Sequence, residues 1–278
     1  IAVLIVSVVS GIIIIGITNS GAKNQVDLNS VKVFDMTVKN KLAENIVGEW
    51  SFDEGSGTTA INSTDYGSAL NGTITGATYQ ASSNCISNSC LSFGVTSYVD
   101  CVNNESSRLG STGTVSIWFK PTTAFSGAQA LQKHLMRGGP SYFYFSSSSS
   151  KLHYFLADGI VNVGSDSGSW DTNWHNVTVT SDGAILKMYI DSIVQQSTAN
   201  AIGINFFIND SANLRIGHIS NSFPGKLDEV RIYNAALTIS QIQEQYRAGL
   251  DKLLVKGAIT QQDYNQKIVE LQKQIAVN

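Results

Sequence analysis

Hydrophobic residues are distributed in three different ways along the 278-residue chain. The first 22 residues carry no charge, and within 1–17 only Ser and Gly interrupt a run of Ile, Val, Leu and Ala. From about residue 46, short runs alternate apolar and polar residues, and clusters of Ser, Gly, Asn and Asp separate these runs. After Thr238 the apolar residues recur at helical spacing. The predicted segments are 1–45, 46–237 and 238–278.

The first segment predicts one long helix that is apolar all round at first and amphipathic up to about residue 44. As a helix, residues 1–17 would span about 26 Å, close to the roughly 30 Å hydrocarbon core of a bilayer. Its β-branched residues are poor helix formers in water. In a membrane or a packed bundle, however, the backbone must satisfy its own hydrogen bonds, which overrides that preference. We therefore expect this segment to lie in a membrane or in the apolar core of an assembly.

The alternating runs of the second segment predict an antiparallel β-sandwich of many short strands. These runs are TVSIWF at 114–119, YFYF at 142–145, NVTVTS at 176–181, ILKMYI at 185–190 and LDEVRIY at 227–233. The SSSSS run at 146–150 is predicted to be a loop tip, since strand-like sequence flanks it closely. The overall fold class is thus α+β, with a long N-terminal helix, a jelly-roll β-sandwich and a C-terminal helical hairpin.

Helix start and stop signals define the C-terminal hairpin. Thr238 is a predicted N-cap, Gly257 ends the first helix, and Thr260 with Asp263 begins the second as a capping box. The apolar face of the first helix is Ile242, Tyr246 and Leu250, and that of the second is Tyr264, Ile268, Leu271 and Ile275.

The composition and charge of the chain favour some classes of protein over others. Charged residues make up 14% of the chain, below the roughly 25% of ordinary soluble domains, which favours an extracellular β-rich protein over a cytosolic enzyme. The net charge of −3 offers no basic patch for nucleic acid. Cys85 and Cys90 in NCISNSC are predicted to form a disulfide that leaves Cys101 free, the alternative being three reduced, buried thiols.

Catalytic patterns are lacking in the sequence, and we predict that the protein is not an enzyme. The acidic pairs Asp53–Glu54 and Asp228–Glu229 are adjacent, so in a strand their side chains point to opposite faces unless a bulge reorients them. We interpret His175, which follows Trp174 in a strand-like run, as a structural residue. The histidines, which show no metal-ligand spacing, are His134, His153, His175 and His218.

Aromatic residues raise the possibility of sugar binding. Tyr142, Tyr144 and Trp170 could stack on sugar rings. Within YFYF, Tyr142 and Tyr144 share one face and Phe143 and Phe145 take the other. The alternative is that one of these faces is core and the other is ordinary surface.

The second segment resembles the laminin G-like, concanavalin A-like lectin/glucanase superfamily. The matching blocks occur in order at 46–74, 90–101, 115–121, 174–183, 188–192 and 225–242. The resemblance implies the sandwich fold and a structural Ca²⁺. Asp53 and Asp228 occupy matching motif positions, and Asn62 stands where the family often has Asp; the alternative is that these residues cap turns. A lectin-like head also implies surface glycans as partners.

The N-terminal segment resembles the helix of type IV pilins, bacterial or archaeal. The resemblance implies a structural subunit of a type IV pilus-like extracellular filament, with the N-terminal helices bundled in the core and the lectin-like heads exposed, where they could serve adhesion. Such a subunit is embedded in the membrane and trimmed by a prepilin peptidase before it assembles with copies of itself. The implied filament-core residues are Ile1, Leu4, Ile5, Val8, Gly11, Ile12, Ile15 and Gly16.

Two features depart from the bacterial pilin pattern: no Glu precedes Glu44, and no aromatic residue opens the chain. The alternative function is a membrane-anchored, monomeric carbohydrate-binding surface protein. Five N-x-Ser/Thr sequons are candidates for glycosylation, at Asn62, Asn71, Asn104, Asn176 and Asn209.

Overall fold

A computed structural model describes most of the chain. The described residues are 3–9, 12–18, 28–101, 110–126, 133–138, 141–145, 149–156, 161–199 and 213–275.

Strands dominate the described structure. The strands are β1 (Val3–Val9), β2 (Ile12–Thr18), β3 (Ile46–Trp50), β4 (Thr59–Ala60), β5 (Gly72–Thr75), β6 (Thr78–Gln80), β7 (Cys90–Phe93), β8 (Tyr98–Cys101), β9 (Thr112–Pro121), β10 (Phe125–Ser126), β11 (Lys133–Gly138), β12 (Ser141–Phe145), β13 (Leu152–Leu156), β14 (Val161–Gly164), β15 (Ser169–Trp170), β16 (His175–Asp182), β17 (Ile185–Ile190), β18 (Ile193–Ala199), β19 (Leu214–Gly217) and β20 (Gly225–Tyr233). The α-helices are α1 (Leu28–Leu42), α2 (Ile239–Val255) and α3 (Gln261–Ile275). Short 3₁₀ helices lie at Ala43–Asn45, Gly67–Leu70 and Ser82–Asn84.

Two eight-stranded antiparallel sheets form a jelly-roll sandwich. The front sheet has the order β14-β13-β12-β11-β19-β8-β5-β4. The back sheet has the order β18-β17-β16-β9-β20-β7-β6, and β3 also pairs with β20. The five runs predicted from alternation all lie within strands, namely β9, β12, β16, β17 and β20. The antiparallel sandwich predicted from the sequence is confirmed.

The core lies between the two sheets and follows the period of two that a strand imposes. On β9, Val115, Ile117 and Phe119 are fully buried against the front sheet. On β13, Leu152 and Tyr154 are fully buried from the other side. Alternate residues of each strand therefore point away from the core, and what covers them decides where a ligand can bind.

The predicted helix over 1–45 is wrong at Val3–Val9 and Ile12–Thr18, and it agrees with the structure at Leu28–Leu42, which is helical. Val3–Val9 and Ile12–Thr18 pair as antiparallel strands, with Val3 opposite Thr18 and Val9 opposite Ile12. The physical reason is that Ile and Val favour extended backbone, and pairing the two strands satisfies their backbone hydrogen bonds. Among the described residues, no helix is both long and apolar enough to cross a membrane.

The implied filament-core residues fall on these two strands or outside the described residues. Leu4, Ile5 and Val8 lie on β1, Ile12, Ile15 and Gly16 lie on β2, and Ile1 and Gly11 lie outside the described residues.

The three helices pack on the outer face of the back sheet. The Trp118 ring of β9 stacks on Tyr246 of α2, with centroids 5.5 Å apart, and Leu271 of α3 belongs to the same buried cluster. Val38 and Leu42 of α1 join a second cluster on this face. In the described part of the chain, the outer face of the front sheet is left without a helix over it.

The capping predictions for the C-terminal hairpin are confirmed. The Thr238 hydroxyl accepts from the Gln241 N–H, and the Gln241 side chain accepts from the Thr238 N–H, which completes a capping box. Thr260 and Asp263 form the equivalent reciprocal bonds at the start of α3. Gly257, with a φ of 69°, lies between the two helices.

Candidate functional site

The front sheet presents an outer face that we call the open face. Its described side chains include Tyr98, Asp100, Tyr144, His153, Phe155 and Arg215, beside the exposed Thr73 and Thr75 of β5. The neighbouring residues along these strands, including Val99, Tyr154 and Leu214, are fully buried in the core. Because strand side chains alternate, the residues between them must lie on the outer side.

The first half of the open face is an ionic cluster of Tyr98, Asp100 and Arg215. Arg215 lies directly opposite Asp100 across β19 and β8. Its Nη2 is 3.3 Å from Asp100 Oδ2, and its guanidinium lies over the Tyr98 ring, 5.8 Å from the centroid. The side chains of Arg215 and Asp100 remain 33% and 26% exposed. The cluster thus holds a forked donor and a carboxylate at a surface that a ligand can reach.

One oxygen of this cluster lacks a partner. Asp100 Oδ1 is buried and accepts no hydrogen bond from the described residues. A buried acceptor left without a donor costs free energy.

The second half of the open face is an aromatic cluster of Tyr144, His153 and Phe155. The Tyr144 ring stacks on His153 at 5.8 Å and on Phe155 at 5.2 Å. Tyr144 lies opposite His153 in the β12–β13 register, and His153 and Phe155 are two apart on β13, so all three share a face. Tyr144 is only 8% exposed, so the half-buried rings of His153 and Phe155 are the ones in this cluster that a ligand can reach.

His153 adds a polar atom to the aromatic cluster. Its Nδ1 is buried and has no hydrogen-bond partner in the described structure. Burial, with a smaller contribution from the Lys151 charge, lowers the pKa of His153, so the imidazole is neutral at pH 7. A Cβ at Gly164, which pairs with His153, would lie 3.0 Å from Nδ1, so a glycine there gives the ring room.

A single row of paired residues connects the two clusters. Phe155 lies opposite Tyr142, Tyr142 opposite Arg137, Arg137 opposite Arg215, and Arg215 opposite Asp100. These five positions come from five adjacent strands and occupy one line across the sheet. The row places two aromatic residues at one end and two arginines with an aspartate at the other.

The three residues predicted to stack on sugars lie in different parts of the structure. Tyr144 is in the aromatic cluster, only 8% exposed, and Tyr142 occupies the connecting row. Trp170 is wrong as a sugar platform. It is 5% exposed, belongs to the core and donates from Nε1 to the Ser150 carbonyl at 2.7 Å. Phe143 lies opposite the core residue Tyr154, as the predicted alternation within YFYF requires.

The proposed calcium ligands do not form one site. Asp53 accepts from the N–H groups of Asn88 and Ser89. Asp228 accepts from Ile86, Ser87 and Glu229 N–H groups. Backbone N–H groups therefore bind one oxygen of Asp53 and both oxygens of Asp228, and the other Asp53 oxygen accepts from the Asn88 side chain.

Asn62 belongs to a separate network. Its Oδ1 accepts from Glu49 N–H at 2.9 Å, and its Nδ2 donates to Thr64 and to the Gly67 carbonyl. Calcium takes six to eight oxygen ligands, which can include carbonyl groups and waters. Asn62 contacts different groups from Asp53 and Asp228, and the turn-capping alternative describes the contacts of all three, so calcium binding stays a prediction.

The adjacent acidic pairs do not converge either. The strand register shifts between Asp228 and Arg231, and Glu229 has a φ of 48°. This bulge directs Asp228 to the 85–90 loop and Glu229 to Arg231 and Lys252. Burial raises the pKa of Glu229, but the positive charges of Arg231 and Lys252 outweigh it and hold the pKa well below its usual range.

His175 sits between two carboxylates, with Nδ1 3.1 Å from Asp191 and Nε2 3.1 Å from Asp171. Burial lowers the pKa of His175, but the hydrogen bonds and charges of Asp171 and Asp191 outweigh it and raise the pKa to about 9. Lys267 of α3 also contacts Asp191, at 3.5 Å. This arrangement ties a loop, a hairpin and a helix together, which is a structural role.

The structure joins Cys85 and Cys90 in a disulfide and leaves Cys101 as a buried free thiol. Cys85, Cys90 and Asp228 are the single group of three potential His, Cys, Asp or Glu metal ligands within the described ranges. Two of its three members are consumed by the disulfide.

Two of the five sequons are incompatible with glycosylation of the folded protein. Asn62 and Asn176 are buried, and Asn176 Nδ2 donates to Ser116 and to the Ile117 carbonyl. A glycan is bulky and requires a surface amide. Asn71 is half-buried, and Asn104 and Asn209 lie outside the described residues.

Comparison with known families agrees with this architecture. Residues 93–243 match the third laminin G-like family of the concanavalin A-like lectin/glucanases superfamily. The chain belongs to this superfamily. The match covers the strands of the ionic and aromatic clusters. No curated relative matches the sequence at a significant level.

Solved structures of the same fold are distant in sequence. The binding domain of Paraclostridial Mosquitocidal Protein 1 has a TM-score of 0.60 and 13% identity, covering 75% of this chain and 53% of that one. A second similar structure is domain 4 of AbnA, an extracellular arabinanase from Geobacillus stearothermophilus, solved with arabinotriose. It has a TM-score of 0.55 and 19% identity, and the match covers 73% of this chain and 98% of that domain.

The botulinum neurotoxin serotype D ligand binding domain was solved with N-acetylneuraminic acid. It has a TM-score of 0.58 and 13% identity, and the match covers 77% of this chain and 53% of that domain. The chain thus spans about half the length of the two toxin domains. At these identities the likeness concerns the fold.

Sequence reasoning did not identify the ionic cluster or Phe155. The alternation in SYVDC, with Val99 and Cys101 apolar, was a usable signal for Tyr98 and Asp100. Arg215 lies in the four-residue strand LRIG, which is too short for a periodic pattern. Its pairing with Asp100 depends on contacts 115 residues apart.

Proposed function

We propose that this chain is a lectin-like, carbohydrate-binding protein whose ligand lies on the open face. The observation that carries the proposal is the combination, on the one sandwich face without a described helix over it, of half-buried aromatic rings with an Arg–Asp pair whose side chains are 33% and 26% exposed. Sugars present flat C–H faces and arrays of hydroxyl groups, which rings and planar polar side chains recognise.

Family membership and the structural neighbours support this proposal. Two of the neighbouring domains were solved with a sugar, arabinotriose in one case and N-acetylneuraminic acid in the other. The proposal places the protein outside the cell, in keeping with the disulfide at Cys85–Cys90. It assigns a binding role rather than a catalytic one.

A glycan array tests the proposal. The fluorescently labelled chain should bind a defined subset of glycans, and Arg215→Met should reduce that signal. Lys273→Met, which removes an exposed charge on α3, should leave the signal unchanged. An array without any signal, or equal signals from Arg215→Met and the unmodified chain, would contradict the proposal.

A filament subunit is a second candidate function, favoured by the uncharged stretch of the first 22 residues. The paired strands β1 and β2 do not provide a helix of pilin type, so assembly through a helical core would require this segment to change conformation. Electron microscopy of the purified chain without detergent tests the idea. Regular filaments would support it, and dispersed monomers would contradict it.

A further inference from the structure

We propose that a cavity between α1, α2 and the back sheet binds a small zwitterion, a molecule that carries one carboxylate and one ammonium group. The cavity lies on the opposite side of the sandwich from the open face, so the inference is independent of carbohydrate binding. Its volume is about 180 Å³, below the roughly 300–1,000 Å³ of pockets for drug-sized molecules. A ligand of only a few non-hydrogen atoms is the size that fits.

The cavity has an exposed mouth and a buried floor. Ala43, Ser63 and Asp65 line it and are exposed. Trp118 and Arg231 also line it and are only 2% and 7% exposed. A ligand that enters from solvent beside the loop after β4 therefore meets the Arg231 guanidinium inside the protein.

Ionisable side chains around the cavity form a series of ion pairs with alternating charge. In order along the series they are Lys39, Glu49, Arg231, Glu229, Lys252 and Asp35. Lys39 and Asp35, at the two ends, both belong to α1, so this helix closes the series into a ring. The positive and negative charges of the ring cancel. A ligand with a net charge would therefore add an uncompensated charge to a largely buried site, which is unfavourable.

Arg231 keeps hydrogen-bond donors for a ligand. Its Nε donates to Glu49 and its Nη2 donates to Glu229. Its Nη1 donates to none of the residues that the structure describes, although the side chain is only 8% exposed. A guanidinium carries five N–H donors in one plane, and a carboxylate is the acceptor that binds such donors most strongly. The floor of the cavity therefore favours the carboxylate of a ligand.

Asp65 supplies the opposite charge at the mouth. Its carboxylate is exposed and contacts no cation within the described ranges. An ammonium group has three N–H donors and no acceptor, and it pairs with a carboxylate of this kind. A simple carboxylate would satisfy Arg231 alone and would unbalance the ring. A zwitterion satisfies both Arg231 and Asp65 and adds no net charge.

Calorimetric titration of the full chain with zwitterions of increasing length tests the inference. The probes are glycine, β-alanine, 4-aminobutyrate and 5-aminovalerate, in which the carbon chain between the two charged groups grows one atom at a time. At least one probe should bind, and about tenfold more tightly than the simple carboxylate and the simple amine of the same chain length. Equal affinity for the simple carboxylate, or no binding of any probe, would overturn the inference.

Variants at the mouth locate the bound zwitterion. Ala43→Phe places a ring across the mouth at an exposed position and should remove measurable binding. Asp65→Asn should weaken binding about threefold, because an exposed ion pair contributes little free energy. Asp166→Asn is the matched control, since it removes an exposed carboxylate between β14 and β15, and it should leave the affinity unchanged. Full binding by Ala43→Phe would contradict the proposed location.

Two further variants separate the floor of the cavity from the open face. Arg231→Lys keeps a positive charge between Glu49 and Glu229 but lacks the planar set of N–H donors, and it should bind the zwitterion about tenfold more weakly. Arg215→Met, on the open face, should bind it as the unmodified chain does. Loss of zwitterion binding in Arg215→Met would overturn the inference. The glycan array tests the carbohydrate-binding proposal separately, so either proposal can fail while the other stands.

Discussion

The ring of Trp118 on the back sheet lies nearly parallel to the ring of Tyr246 on α2, with an angle of 12° between their planes. Gly249 of α2 lies beneath the same indole, and a Cβ at that position would collide with the Trp118 ring. The contact seats the C-terminal helices on one face of the sandwich. It is one reason why the opposite, open face is where we expect a glycan.

Gly249→Ala should therefore destabilise the protein. The added methyl group overpacks a closed contact, and such substitutions cost about 1–3 kcal/mol in free energy of unfolding. Urea denaturation followed by tryptophan fluorescence measures the change. Gly110→Ala is the matched control, because a Cβ there meets nothing within 4 Å. Equal stability of the two variants would show that α2 does not pack against Trp118 as described.

His175 should make stability depend on pH. Its folded-state pKa of about 9 lies above the ordinary value of 6.5, so the protonated ring stabilises the fold fully below about pH 6.5. This contribution is lost as the pH rises through about 9, and is at most roughly 3 kcal/mol. Chemical denaturation between pH 6 and 10 should show the decline.

His175→Gln should flatten that decline, since no proton is then released between Asp171 and Asp191. His218→Gln, in a turn where Nδ1 accepts from the N–H groups of Ser220 and Asn221, should keep the pH dependence of the unmodified protein. A His175→Gln profile as steep as that of the unmodified protein would rule out this linkage.

Arg231 should be essential for stability, because its buried guanidinium neutralises Glu49 and Glu229. Arg231→Met leaves two buried carboxylates with less compensation, and breaking a buried pair in this way costs about 3–5 kcal/mol. The midpoint of thermal unfolding should fall, whereas Lys187→Met on β17 should leave it within the error of the measurement. A wild-type midpoint for Arg231→Met would mean that the carboxylates are not held by this residue.

Thiol counting should distinguish the three cysteines. The folded protein should react with no iodoacetamide, since Cys85 and Cys90 are bridged and Cys101 is buried with a raised pKa caused mainly by burial. Unfolding without reductant should expose one thiol, and unfolding with reductant should expose three. Mass spectrometry reads each count, and three reactive thiols without reductant would exclude the disulfide.

The features that could be predicted from the sequence are those that local patterns determine, namely strands and helix ends. Alternation located five strands of the sandwich, and Thr238, Gly257 and Thr260 marked the ends of the C-terminal helices. The run at 1–17 misled, because an unbroken Ile/Val series fits a membrane helix and a paired strand equally well until pairing partners are known.

The candidate site was less predictable, for a different physical reason. Arg215, Asp100 and Phe155 come together only through the strand order of the front sheet, and no local pattern encodes that order. Trp170 was misplaced because its aromatic side chain suits a sugar platform and a core position equally well. Its indole N–H instead reaches the Ser150 carbonyl inside the core.

The central claim is that a glycan binds the open face and leaves the helix-covered face of the back sheet free. Hydrogen–deuterium exchange of the chain, with and without a saturating concentration of a glycan that binds in the array, tests it most directly. The account predicts slower exchange in peptides covering 98–101, 152–156 and 214–217, and unchanged exchange in α2. Protection confined to α2 and β20, with none on the front sheet, would contradict it.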